Sequence, residues 1–253
     1  MQSIEIKFPD SVSLNPSLVE KMSALNPGLD LSYESSLLRI REGGLSFWEQ
    51  DFFKLHLPFN MQEEELFELG DLNAGLRLEG EEDLLIINMG TLGLIGAFTV
   101  LIGATLVIWN RKMKMGRVFD SSTNHDLEVE GKKMYRLPDV SFILYEKFSK
   151  QVLDEKYRLG APTLCIEVVS HKNSLKQDLE KMKEDWMRAG TEIGLVVCPH
   201  RKKYYLFEKG KAAYQTLAFS KPFRHDLLFE LTLDFSLLLK EAMEEVKREG
   251  ELR

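Results

Sequence analysis

Residues 163–190 read TLCIEVVSHKNSLKQDLEKMKEDWMRAG, and this stretch decides the fold. Thr163 to Val169 is a short apolar run entered from Ala161-Pro162, which predicts a strand. Leu175, Leu179, Met182 and Trp186 recur every three or four residues, which predicts a helix over 175–189 ended by Gly190. Upstream, Val140 to Tyr145 is a second apolar strand, with Pro138 placed just before it, where a missing amide costs little. Downstream, Ile193 to Cys198 is a third, stopped by Pro199. The order strand, strand, helix, strand predicts an α/β (α+β) domain with a central mixed sheet flanked by helices.

Working outward, Leu76 to Leu78 and Leu84 to Ile87 predict a hairpin around the acidic turn Gly80 to Asp83. Tyr204 to Phe207 and Ala213 to Phe219 predict another, and Leu227 to Leu231 one more strand. Asp234 to Lys247 reads as a final helix with Asp234 as N-cap. Residues 1–60 carry the turn signals Phe8-Pro9-Asp10, Asn15-Pro16-Ser17 and Asn26-Pro27-Gly28. Leu45 to Leu57 reads as a short helix and Glu63 to Leu69 as another. The organisation expected is an N-terminal extension or accessory layer over 1–69, a core domain over 70–230 and a C-terminal helix over 231–253.

The formal net charge of −7 argues against a nucleic-acid binder, but the charge is uneven. Residues 1–83 hold 17 acidic and 6 basic residues, whereas 84–253 hold 23 and 27. The second part can therefore face a phosphate backbone. The two cysteines, Cys165 and Cys198, sit in apolar runs as buried thiols do, not as a disulfide framework or zinc site. With no secretory signal at residues 1–10, a reducing cytoplasmic setting is the expectation.

Leu84 to Trp109 runs without a single charge and is followed by Arg111, Lys112 and Lys114. By length this suits a bilayer span. Residues 92–110 also have the length of a buried helix, and their apolar character on all sides predicts cover from both directions.

Three carboxylates stand beside apolar strands. Glu79 ends Leu76-Arg77-Leu78, Asp139 precedes Val140, and Glu167 lies inside Leu164 to Val169. A carboxylate inside TLCIEVV must be paired or metal-bound, because burying it alone is costly. Taken singly, Glu167 suits a structural salt bridge as well as a ligand role, and Asp139 suits a turn or cap after Pro138. Together, on adjacent strands, they suit Mg²⁺ or Mn²⁺, which keep several waters and take phosphate oxygens. A nearby lysine would offset charge developing on phosphorus. Composition does not choose among Lys176, Lys181 and Lys183 on the following helix.

The ordered segments do choose. Asn73 to Glu79 (NAGLRLE), Leu84 to Ile87 with Thr91 and Gly93, Phe119 to Thr123 (FDSST), Pro138-Asp139-Val140-Ser141, Leu164 to Ser170 (LCIEVVS), Ser174-Leu175, Leu179 to Met182 (LEKM) and the WMRAGTEIGLVVCP run follow one another. This series resembles the putative restriction-endonuclease family also known as domain of unknown function 820, in the PD-(D/E)XK nuclease superfamily, over roughly residues 70–210. The resemblance implies a restriction-endonuclease-like core. It also implies a metal-dependent endonuclease with Glu79, Asp139, Glu167 and Lys181 as the catalytic set, the three carboxylates holding Mg²⁺ or Mn²⁺. Val169 stands where the usual strand lysine would be, and Lys181 matches the lysine that this family carries on the helix. The chain departs from the pattern at Ser170-His171-Lys172, where relatives have Ser-Pro-Ser, and at Asn88-Met89-Gly90, where paired prolines are missing. His171 then lies close to the site, as a loop residue or a proton-transfer aid.

The resemblance also places a soluble helix at 92–110, so no membrane role is expected. A single span there would put Glu79 and Asp139 on opposite sides of a bilayer. The expected partner is DNA, contacted through phosphates by Arg111, Lys112, Lys114, Arg117, Lys132, Lys133, Arg136, Lys172 and Lys176. Homodimerisation is an expectation from the resemblance alone. The competing reading is a catalytically inactive nucleic-acid-binding or assembly module on the same fold.

Overall fold

A computed structural model describes residues 3–12, 14–34, 37–42, 52–73, 76–88, 93–147, 159–171 and 174–251. The chain divides into two compact units, one of residues 1–90 with 130–135, the other of residues 91–129 with 136–253. Residues 70–90 thus pack with the N-terminal part.

The first unit contains strand β1 (Ser3–Lys7), helix α1 (Pro16–Leu25), strands β2 (Leu29–Glu34), β3 (Leu37–Glu42) and β4 (Phe52–His56), helix α2 (Glu63–Leu72), and strands β5 (Arg77–Glu81) and β6 (Leu84–Asn88). An antiparallel sheet runs in the order β1-β3-β2. Strand β6 pairs with β4 on one side and β5 on the other, closing the expected hairpin with Glu82 at positive φ in the turn. Ile6, Met22, Leu38, Ile40, Leu55, Leu69, Leu85 and Ile87 form one core, so this unit is more than a loose extension. Two asparagines tie loop ends to strands. Asn26 donates to the His56 carbonyl and accepts from its amide, both at 2.8 Å. Asn73 does the same with Lys7, also at 2.8 Å. Phe52 to His56 is a strand and not part of a helix. Its Phe53 and Leu55 are buried while Lys54 and His56 are exposed, the period-two pattern of a half-buried strand. The rest of the helix expected from Leu45 lies outside the described residues.

The second unit is built on a six-stranded sheet. Its strands are β7 (Gly116–Phe119), β10 (Val140–Leu144), β11 (Leu164–Val168), β12 (Ile193–Cys198), β13 (Lys203–Glu208) and β14 (Gln215–Ala218). Between β7 and β10 the chain forms β8 (His125–Val129) and β9 (Lys132–Arg136), of which residues 132–135 belong to the first unit and Arg136 to the second. The sheet order is β14-β13-β12-β11-β10-β7. Only β11 and β12 run parallel, so the sheet is mixed, as the element order implied. The parallel pair needs a crossover. It is supplied by α4 (Leu175–Lys181) running straight into a π-helical turn, Met182–Met187.

One sheet face carries helices α3 (Gly93–Met113) and α5 (Phe235–Glu251) over a core of Val140, Phe142, Leu164, Ile166, Leu195 and Val197. The π-helical turn covers the other face. Gly194 lies between core-facing Ile193 and Leu195, and a Cβ there would stand 2.4 Å from Met182 Sδ. All five residues of β11 are buried, as cover on both faces requires.

Helix α3 is long and apolar enough, by length and composition, to cross a membrane. Ile95, Phe98, Ile102, Leu106 and Trp109 instead pack into the core, with Leu101 half-buried. Among the described residues the expected cover from both directions is not seen on the far side, where Val100 and Ile108 are each 69% exposed. Leu227 to Leu231 is not a strand either. Asp226–Leu228 forms a 3-10 turn, and Leu228 and Leu231 reach the core from it.

Gly116 and Gly96 give opposite tests of this packing. An alanine at Gly116 would put its Cβ 2.0 Å from the Ile143 carbonyl, a backbone atom that cannot swing away. Gly96 lies within α3 with nothing within 4 Å of the added carbon. By denaturant melts, Gly116→Ala is expected to destabilise by about 1–3 kcal/mol or more, and Gly96→Ala to stabilise by about 0.5–1 kcal/mol.

Candidate functional site

Strands β10 and β11 pair antiparallel, with Val140 opposite Ile166 and Ser141 opposite Cys165. Continuing that register by one residue sets Asp139 opposite Glu167. The Asp139 carboxylate closes the end of the ladder itself, its Oδ2 accepting the Val168 amide at 2.7 Å. Two acidic residues are therefore set side by side where the two strands separate. Pro138 lacks the amide that would have extended the pairing.

Leu164, Ile166 and Val168 point to the α3–α5 core, so Glu167 points to the opposite face, beneath α4 and the π-helical turn. It is 6% exposed, and two donors reach its Oε1. Lys181 Nζ stands at 3.2 Å and Trp186 Nε1 at 2.8 Å. Lys181 is nearly as buried as Glu167, whereas Lys176 and Lys183 are exposed. Removing one partner of such a pair leaves a buried charge alone, at about 3–5 kcal/mol.

Two residues that the sequence reading passed over, or assigned elsewhere, brace this site. His125 on β8 is fully buried, with Nδ1 2.8 Å from the Gly160 carbonyl and Nε2 3.0 Å from Ser141 Oγ. A carbonyl only accepts, so Nδ1 carries the proton and Nε2 accepts from the serine hydroxyl. The imidazole stands edge-on to the Trp186 indole, centroids 5.4 Å apart at 81°. Nothing in NHDLEV marks this histidine, because its partners lie 16 and 35 residues away. Arg136, expected to contact phosphate, is 2% exposed and donates from Nε to Asp185 Oδ2 at 2.7 Å. It therefore ties the end of β9 to the π-helical turn, from where it does not reach a phosphate.

Glu79 belongs to the first unit, on β5. It is fully buried, and its Oε1 accepts from Asn88 Nδ2 at 3.0 Å. Among the described residues no three His, Cys, Asp or Glu side chains form a group that could hold a metal ion. Within the second unit, register sets Asp139 and Glu167 side by side on neighbouring strands.

Arg111, Lys114, Arg117, Lys133 and Lys176 are exposed. Lys112 is exposed and pairs with Glu230 at 2.7 Å. Lys132 lies 3.4 Å from Glu81 and 3.6 Å from Glu82, which draws its charge to carboxylates. Lys172 lies outside the described residues. The carbonyl of half-buried His171 accepts from the Ser174 hydroxyl at 2.9 Å, the turn that opens α4.

Burial pushes the His125 imidazole down to about 4, against the Gly160 hydrogen bond, which works the other way. Unfolded, the same ring takes up its proton near pH 6.5. The unfolded state thus binds more protons between those values, so stability falls as pH drops from about 6.5 to 4 and is unaffected above that window. The loss at the low end is about 3 kcal/mol. His125→Gln is expected to be less stable than wild type at pH 7.5, with the gap narrowing towards pH 4.5 in urea melts. A constant gap would mean that the imidazole is not held neutral.

The family model described as Uma2, putative restriction endonuclease, matches residues 63–240. No curated protein matches the chain. Among solved structures, the chain is similar to a putative nuclease belonging to DUF820 from Anabaena variabilis ATCC 29413. The two share 16% identity and a TM-score of 0.51, over 68% of this chain and 97% of that one. At that identity the likeness shows the fold alone, a mixed α/β fold with a central sheet flanked by helices. The family match spans most of the chain and includes Asp139, Glu167 and Lys181, and the chain belongs to the Uma2 family of putative restriction endonucleases.

Proposed function

We propose that this protein is a metal-dependent endonuclease that hydrolyses phosphodiester bonds, with DNA as its substrate. One observation carries the reading: a carboxylate buried in an all-apolar strand, Glu167, opposite Asp139 across the ladder and 3.2 Å from the Lys181 ammonium. The donor set fits Mg²⁺ or Mn²⁺. These hard cations take carboxylate oxygens and keep several waters, so two protein carboxylates suffice beside a substrate phosphate. Asp139 and Glu167 are the residues that would hold the ion, and the family pattern adds Glu79 as a further direct or water-mediated carboxylate. Bound there, the ion would activate a water and polarise the phosphodiester.

The chain's own residues supply position and charge. The Val168 amide fixes Asp139 at the mouth of the ladder. Lys181 brings a positive charge into a poorly solvated place, where it offsets negative charge developing on the phosphate oxygens more strongly than it would in water. Exposed Arg111, Lys114, Arg117 and Lys176 would make sequence-independent contacts to phosphate. Pairing into a homodimer to cut both strands, and action in the cytoplasm, belong to the same proposal.

A second reading is a catalytically inactive nucleic-acid-binding module. It draws on the lack of a three-ligand group among the described residues. Plasmid and oligonucleotide cleavage with Mg²⁺ or Mn²⁺ separates the two. Asp139→Asn and Glu167→Gln are expected to abolish both cleavage and the metal-dependent gain in melting temperature. Lys181→Met is expected to keep most of that gain and lose rate by about 100-fold or more, as for loss of one charge-stabilising donor. A wild-type protein with neither cleavage nor a metal-dependent melting shift, yet with salt-sensitive DNA binding, would favour the binding module.

A further inference from the structure

The turn that covers Glu167 is a π-helix, and its geometry has a consequence for the carboxylate beneath it. In an α-helix each residue turns about 100°, so residues five apart lie about 140° apart and face different ways. A π-turn widens the coil to i→i+5 bonding, so residues five apart come to lie over one another. Lys181 enters this turn and Trp186 lies within it, five residues later. Both deliver a donor to the same atom, Glu167 Oε1, at 3.2 Å and 2.8 Å.

We propose that Trp186 is a positioning residue for Glu167, and that the π-helical turn brings its indole N–H onto the carboxylate together with Lys181. This rests on the reading of Glu167 as a metal-holding carboxylate. Two donors converging on one oxygen fix the carboxylate plane, and so fix the direction in which the other oxygen is presented. An indole N–H suits this task because it is neutral and donates only. It orients the carboxylate without adding a second positive charge that would repel a cation.

The indole is itself held. It is fully buried, and its ring meets His125, whose two nitrogens are tied to Gly160 and Ser141. The residue before it, Asp185, is held by buried Arg136. Beneath the turn, Gly194 lacks the Cβ that would collide with Met182 and Met187. The wide turn is thus fixed by the bare backbone below it and by anchors on β8 and β9.

Trp186→Phe is the discriminating variant, since it keeps an aromatic ring and removes the N–H. Trp109→Phe is its control, because the Trp109 N–H goes to the Phe229 carbonyl instead. Mg²⁺ is titrated into the full-length chain without nucleic acid, with melting temperature as the readout. Loss of a partner that orients a ligand weakens metal binding by about 10–100-fold. The half-saturating Mg²⁺ concentration is expected to rise by that factor in Trp186→Phe and to stay at the wild-type value in Trp109→Phe.

A second measurement uses the wild-type fold. The chain has three tryptophans, so a ¹⁵N-labelled sample gives three indole N–H resonances. The Trp186 resonance, identified by its absence in Trp186→Phe, is expected to move on adding Mg²⁺ and in Glu167→Gln. Unchanged Mg²⁺ affinity in Trp186→Phe, with wild-type protein responding to metal, would overturn the positioning role and leave the nuclease reading intact. An indole resonance indifferent to Glu167→Gln would also overturn it. No response of wild-type protein to Mg²⁺ by either readout would overturn both.

Discussion

A carboxylate in the middle of LCIEV, with neighbours that are all buried, constrains everything around it in the second unit. Ionised and alone it would be too costly to bury, so the fold must bring it partners. Lys181 and Trp186 arrive from the crossover that the parallel β11–β12 pair requires in any case. The site is thus a by-product of sheet topology, since the connection that makes two strands parallel also lays a lysine and an indole over the first of them. Asp139 joins because β10 runs antiparallel on the other side and ends one residue short of Glu167.

The buried polar layer beneath the crossover is continuous. His125, Ser141 and the Gly160 carbonyl meet the indole edge, and Arg136 meets Asp185 one residue away. Such a layer is worth its desolvation only when each member is satisfied, and then it specifies one arrangement more sharply than apolar packing does. A layer of this kind holds the Trp186 indole in one place. The elements that hold Trp186 are drawn from β8, from the end of β9 and from the loop before β11, so the site is braced from outside the two strands and the helix that carry it.

Strands β10, β11 and β12 were legible in the sequence because apolar runs of five or six residues bounded by proline admit few other readings. The position of the crossover helix was legible for the same reason, but its π-turn was not. Leu175, Leu179, Met182 and Trp186 have spacings that an α-helix would also give, and the contacts that the turn makes with Arg136, His125 and Gly194 leave no mark in that spacing. Lys181 could not be told from Lys176 or Lys183 by composition, and only the family pattern singled it out. Arg136 looked like one more basic residue because Asp185 lies 49 positions away. Helix α3 looked like a helix covered on all sides because an apolar exterior on one face leaves no mark in composition. Val100 and Ile108 are outward-facing residues of the same type as those inside.

The central claim is that Asp139 and Glu167 together hold a divalent cation. A crystal of the protein soaked in Mn²⁺ and measured at a wavelength where manganese scatters anomalously tests it most directly. The account expects an anomalous peak between the two carboxylates, with one oxygen of each at about 2.1 Å, near the spacing of hard-cation carboxylate sites. Lys181 is expected to lie beside the peak without coordinating it. A well-ordered site with no peak there, or a manganese ion held elsewhere in a protein that still cleaves DNA, would contradict it.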